Sequence, residues 1–130
     1  MANATDYLEG KLIDHVLRAT GYTSPTTIYM SLHSSTTTDA GGGTELSGLG
    51  YARQSVAFSA SGATDGATSN SAEIRYTASG GTWSTVTHFA LYDALTSGNM
   101  LIHGALTASK TPNDGDSIVF AIGDLDITVA

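Results

Sequence analysis

Apolar residues change their spacing once along this chain. Near the start, Leu8, Leu12, Val16 and Leu17 recur at helical intervals, with Ile13 beside the stripe. That is the mark of an amphipathic helix, and the spacing predicts one over residues 5–20. Asp6 and Glu9 suit its first turn, through a cap and the positive end of the helix dipole. Asp14 and Arg18 form an i,i+4 pair. Gly21 suits the stop, and Pro25 prevents continuation.

From Thr26 onward the period is two. "TTIYMSLH" puts Ile28, Met30 and Leu32 on one face and Tyr29, Ser31 and His33 on the other. "YARQSVAF" ends with Val56 and Phe58 on one side, and "AEIRY" alternates Ala72, Ile74 and Tyr76 with Glu73 and Arg75. "TVTHFALYD" is nearly all apolar or β-prone, as a central strand would be. It is followed by "ALTSG", a five-residue loop of hairpin length, and by "NMLIHGAL". "DSIVFAIG" and "LDITVA" complete about seven strands, with a bend at Gly123-Asp124. The predicted fold is mainly β: an antiparallel sandwich or barrel-like sheet over 26–130, behind one N-terminal helix, as a single domain 1–130.

Two stretches break the pattern. Residues 33–50, "HSSTTTDAGGGTELSGLG", and 59–70, "SASGATDGATSN", carry no hydrophobic period. Loops this long bind something, order on assembly or stay mobile. Gly41, Gly42 and Gly43 suggest a bendable arm. No Lys-Ser/Thr follows these glycines, so they do not form a phosphate loop.

Composition narrows the function. Charged residues make up 13% of the chain, against ~25% in ordinary domains. The formal net charge is -7, and the basic residues Lys11, Arg18, Arg53, Arg75 and Lys110 do not cluster. A nucleic-acid partner is therefore not expected. No apolar run approaches the ~20 residues of a membrane span, and the N-terminus lacks the pattern of a signal peptide. Cysteine is absent, which removes disulfides and thiolate chemistry.

His88 and His103 are the best acid–base or metal candidates. Counting inward from "ALTSG", they land almost opposite each other. A zinc site needs further ligands, and Asp93 falls on the other face from His88. The histidines read better as scaffold, and neither a metal nor a cofactor is expected. No G-x-S-x-G elbow supports a hydrolase. Asp114, Asp116, Asp124 and Asp126 sit in turn sequences rather than in a calcium loop. Trp83, Phe89, Leu91, Met100 and Ile102 read as core or interface anchors, and Leu8, Leu12, Val16, Leu17 and Gly41–Gly43 as an interface with other copies.

The ordered string Tyr51-Ala52-Arg53, Trp83, Thr87-His88-Phe89, Tyr92-Asp93, His103-Gly104-Ala105-Leu106 and Gly123-Asp124-Leu125 resembles a family of small tailed-phage and prophage virion proteins, often labelled phage tail fibre-like. The resemblance covers nearly the whole chain and brings no catalytic residue. It implies a non-enzymatic virion structural protein, made in the host cytoplasm, with phage structural proteins as partners. A fibre shaft needs heptads or a β-helical repeat, and the chain has neither. A compact body fits a capsid decoration (cement) protein, placed slightly ahead of a tail, baseplate or fibre-associated subunit. A carbohydrate- or cell-surface-binding module is the third reading. A homo-oligomer is expected, with a trimer as the guess.

Overall fold

The computed structural model describes residues 2–60 and 66–128. Among them the elements run β1 Ala2–Ala4, α1 Asp6–Leu17, β2 Ile28–His33, β3 Gln54–Val56, β4 Ala67–Ser69, β5 Ile74–Thr77, β6 Val86–Tyr92, β7 Met100–Lys110, β8 Ser117–Phe120 and β9 Asp126–Thr128. One five-stranded sheet has the order β1-β7-β6-β2-β3, while β4–β9 and β5–β8 form two smaller pairs. Every pairing is antiparallel. The architecture is mainly β, sandwich-like rather than a closed barrel, with one short N-terminal helix. The expected strand at 125–130 and loop at 59–70 extend past the description: residues 129–130 and 61–65 lie outside the described residues.

Strand parity explains the core. Register sets Met30 opposite Leu91 and Leu32 opposite Phe89, so all four share one face of the large sheet. Ile74, Tyr76, Ile118 and Ile127 come from the small pairs and, with Leu125 just before β9, join them in one buried cluster with Val56, Trp83 and Val86. As anticipated for "TVTHFALYD", β6 lies inside the sheet, between β7 and β2.

Two strands escaped the sequence pattern. β1 is "ANA" and β4 is "ATS", both too short and too small-chained to show an apolar alternation. The helix also differs at its ends. Thr5, not Asp6, is the N-cap, and its hydroxyl accepts from the Leu8 N–H. That hydroxyl also donates to the Met100 carbonyl at 2.6 Å, which ties the cap to β7. The helix stops at Leu17, well before Gly21, because Ala19 turns left-handed at φ 55°. The Thr20 N–H then returns to the Asp14 carbonyl at 2.9 Å. Asp14 and Arg18 pair at 3.0 Å as the spacing predicts. No residue of α1 is buried. Leu12 is 39% exposed, Ile13 54%, Val16 69% and Leu17 77%, so most of the apolar stripe faces solvent in the single chain.

The β6–β7 hairpin is present, but its register corrects the expected histidine pair. Tyr92 pairs with Met100 and Leu91 with Ile102, so a β-bulge at this point adds one residue on β7. His88 therefore faces Ala105, and His103 faces Ala90. The same bulge separates Met100 from Ile102. Two residues apart in a regular strand, they would share a face; here Met100 lies on the side of Tyr92 and Ile102 on the side of Leu91. Met100 is buried, yet outside the inter-layer cluster that Ile102 packs against.

Candidate functional site

The second face of the large sheet carries Tyr29, Ser31 and His33 from β2, opposite Tyr92, Ala90 and His88 from β6. Such a polar face normally meets water. Here Ser31, Ala90 and His33 are at most 1% exposed, and His103 is 5% exposed. The glycine-rich segment after β2 folds back across them. It is a cover held by the chain's own side chains, not a free arm.

His103 holds the first part of the cover. Its Nδ1 meets the Thr37 hydroxyl at 2.8 Å and its Nε2 the Asp39 carboxylate at 2.7 Å. This has the bonding order of a catalytic relay. Thr37, however, is only 4% exposed, so no substrate reaches its hydroxyl. The arrangement orients a loop.

His33 lies under the middle of the cover. Ser31 Oγ donates to the Ala90 carbonyl at 3.2 Å and accepts from His33 Nε2–H at 2.8 Å. His33 Nδ1 is then a bare acceptor, buried without a hydrogen-bond partner. A Cβ at Gly43 would come within 3.2 Å of this nitrogen, and Gly43 has φ 108°, so the close approach and the backbone both call for glycine. Burial lowers the His33 pKa below the ordinary value; Glu45 opposes the shift, and Arg53 and His88 reinforce it.

Arg53 fixes the far end. Its Nε and Nη2 donate to the two Glu45 oxygens at 2.9 Å each, and Tyr51 donates to Glu45 at 2.6 Å. Nη1 donates to the carbonyls of Ala94 and Ser97 at 2.8 Å, and the guanidinium lies 3.7 Å from the Tyr92 ring centroid. One side chain thus joins the cover, the entry to β3 and the β6–β7 loop. Burial pushes the Glu45 carboxyl up, but the hydrogen bonds from Arg53 and Tyr51 outweigh it and leave the pKa below the usual range.

The other expected site residues are placed as follows. Trp83, Phe89 and Leu91 are buried in the inter-layer cluster, and Trp83 Nε1 donates to the Leu49 carbonyl at 2.8 Å. His88 is half-buried, with Nδ1 at 2.8 Å from the Thr87 hydroxyl. Leu8 is half-buried beside α1's neighbours, whereas Leu12, Val16 and Leu17 are exposed. Gly41 and Gly43 are exposed and Gly42 is half-buried. Asp116 and Asp124 each accept a backbone N–H within their own turn at 3.0 Å, and Asp114 accepts the Gly80 N–H of a distant loop at 2.9 Å. Among the described residues no group of three or more His, Asp or Glu is placed to hold a metal ion.

Sequence reasoning missed Glu45, Arg53 and Asn70. Asn70 Nδ2 donates to the Ala72 and Ala121 carbonyls, and its Oδ1 accepts from the Leu125 N–H at 2.9 Å, which binds β4 to the turn before β9. The available signal was scarcity. Arg53 is one of five basic residues and sits within a β-prone run, where a lone cation needs a buried partner.

The His33 geometry gives a pH prediction. Its folded pKa is lowered, so the ring's neutral form is the folded one. Below about pH 6.5 the unfolded chain takes up a proton that the folded site resists. Stability from this group is full above that pH and falls as pH drops toward the folded value. His33→Gln is expected to flatten the slope of unfolding free energy against pH in this window, read by urea titration. Equal slopes in both proteins would remove His33 as the cause.

The comparison with curated proteins finds no match. A family model described as podophage GP4 fiber I protein gp80 matches residues 3–128, which spans both sheet layers, the helix and the loop cover. The resemblance carried by Tyr51-Ala52-Arg53 and the β6–β7 hairpin is thereby met, and the chain belongs to the podophage GP4 fiber I protein gp80 family.

Proposed function

We propose that the protein is a non-enzymatic, tail-fibre-associated subunit of a phage virion. A bacteriophage fibre-type structural protein is what family membership makes it, and the match over residues 3–128 is the observation that carries the finer reading. This reverses the order expected from sequence, which put capsid decoration ahead of tail attachment. Absence of a shaft repeat then has another meaning: the chain is a compact module carried by a fibre or tail, working as one unit over 1–130.

Its partners are other virion proteins and other copies of itself, and it is made in the host cytoplasm. The exposed stripe Leu12, Ile13, Val16 and Leu17 supports burial against such a neighbour, because an isolated helix of 12 residues is marginal in water. A trimer is the proposed number. Gly41–Gly43 have less part in that contact, since the cover they belong to is held internally by His103 and Arg53.

Immunogold labelling of intact particles tests the placement. Label at the tail is the expected result, and label spread over the head lattice would overturn it. Light scattering on Val16→Asp and on the native protein reads the self-association. A native mass of one chain would remove that part alone.

A further inference from the structure

The loop cover is pinned at two places and loose between them. On one side the Asp39 carboxylate meets His103 at 2.7 Å, and the Asp39 carbonyl accepts the Asp6 N–H at 2.9 Å. On the other side Arg53 holds the Glu45 carboxylate, and the Leu46 N–H donates to the Leu32 carbonyl at 3.0 Å. Ala40, Gly41, Gly42 and Gly43 lie between the pins, with no side chain larger than a methyl. The Gly41 N–H donates to the Thr38 carbonyl and the Gly42 N–H to the Thr38 hydroxyl, both at 2.9 Å, so these bonds stay inside the cover.

His33 sits beneath this stretch. Its ring is 1% exposed, its Nδ1 has no hydrogen-bond partner, and a Cβ on Gly43 would stand 3.2 Å from that nitrogen. While the ring is neutral, Nδ1 is only a lone pair left without a donor. A proton there makes a buried cation whose new N–H faces the glycines. Its charged neighbours are Glu45 from the cover, Arg53 from the entry to β3, and His88 directly opposite on β6. Burial disfavours the charged ring most; Glu45 favours it, Arg53 and His88 oppose it, and the Gly43 backbone favours it least. Both Glu45 oxygens are already bonded to Arg53, which keeps the carboxylate from turning to the ring. His103 is unlike His33: its Nε2 meets a carboxylate, and its Nδ1 meets a hydroxyl able to donate or accept. The smallest movement that hydrates a charged His33 is a lift of the four small residues.

We propose that Ala40–Gly43 is an acid-released flap: a proton on His33 Nδ1 lifts it from the sheet while both pins hold. The flap is closed above about pH 6.5, where a hydrated histidine is itself neutral, and opens progressively below it. Asp39, Ala40 and Gly41 also line a cleft of about 310 Å³, together with Tyr7 of α1 and Asn99 of the β6–β7 turn. Release of the flap therefore changes the shape of that cleft. This device goes beyond the structural role proposed above and does not depend on it.

The test is amide exchange on the isotope-labelled full chain, with each rate divided by the intrinsic rate at that pH. The reporters flank Gly43: the Gly42 N–H, bonded to the Thr38 hydroxyl at 2.9 Å, and the Thr44 N–H, bonded to the Ser35 hydroxyl at 2.8 Å. Their corrected exchange is expected to rise severalfold between about pH 7.5 and about pH 5.5, toward the ceiling of about tenfold that an open-state pKa of ~6.5 sets. The Asp6 and Leu46 N–H groups, which mark the two pins, are expected to hold steady. His33→Gln is expected to abolish the rise. A rise of less than about twofold in the native chain would overturn the proposal. So would an equal rise in His33→Gln, or acceleration of Asp6 and Leu46 in step with the reporters, since the cover would then be leaving as a whole. A rise that begins only below about pH 4.3, where carboxylates take up protons, would overturn it without any variant.

Discussion

Arg53→Ala is expected to destabilise the protein by about 3–5 kcal/mol, toward the lower end of that range. The side chain is 7% exposed and makes two bonds to Glu45 and two to backbone carbonyls. Truncation strands all of these acceptors at once. Glu45 is 26% exposed, so water reaches part of the orphaned carboxylate and tempers the cost. Arg53→Lys keeps the charge but not the fork, and is expected to recover less than half of the loss. Glu45→Ala should cost much less in the Arg53→Ala background than alone, because both changes break one network. Urea unfolding of the native protein and these four variants reads these differences. The native chain should also lose stability as pH falls below about 4.3, where the unfolded Glu45 takes its proton. In the folded state its pKa is held lower, so the loss continues down to that value. Arg53→Ala should lack most of this acid dependence. A cost near zero would mean that the loop cover stays in place without the cation that fixes its far end.

How far the sequence reached depended on what each element needed. β2 and β5 are marked by their own side chains, since each alternates apolar and polar residues and sends the apolar set between layers, and β6 is marked by a nearly unbroken apolar and β-prone run. The β6–β7 hairpin was equally legible, because "ALTSG" has hairpin length and flanks two apolar runs. The bulge beside Leu91 was not. It inserts Leu101, an ordinary strand residue, and nothing in "NMLIHGAL" separates it from a regular ladder. That one insertion moved His88 away from His103 and turned Met100 from the core to the covered face.

The candidate site was less legible still. Ser31 and His33 alternate with apolar residues, and alternation alone sends them to solvent. They are buried because Thr37, Asp39 and Glu45, all from a segment without a period, fold over the sheet and bring His103 and Arg53 their partners. Contacts across 64 or 66 residues, such as those of His103, leave no local trace. Asp14–Arg18 shows the contrast: a pair one helical turn apart could be read directly from its spacing.

Tyr76 supplies the second large effect, because it joins the two layers. It stands on β5, in a small pair, and its hydroxyl donates to the Met30 carbonyl on the large sheet at 2.6 Å. The ring stacks on Tyr51 at 6.2 Å and meets Phe120 edge-on at 6.4 Å. Tyr76 is 2% exposed, so truncation opens a cavity that solvent cannot easily fill. Tyr76→Ala is expected to cost about 3–5 kcal/mol from the ring alone. Tyr76→Phe keeps the ring and removes only the inter-layer bond, for about 1 kcal/mol. The gap between the two variants separates packing from hydrogen bonding. Both should unfold in one cooperative step, since Tyr76 reaches Tyr51, whose hydroxyl meets Glu45 and the Leu32 N–H beneath the loop cover. Denaturant titration followed by Trp83 fluorescence and by far-UV circular dichroism tests this. Coincident transitions shifted by the stated amounts fit a single core shared by both layers. A loss below about 1 kcal/mol for Tyr76→Ala, or two separated transitions, would mean that the small pairs and the large sheet do not depend on each other.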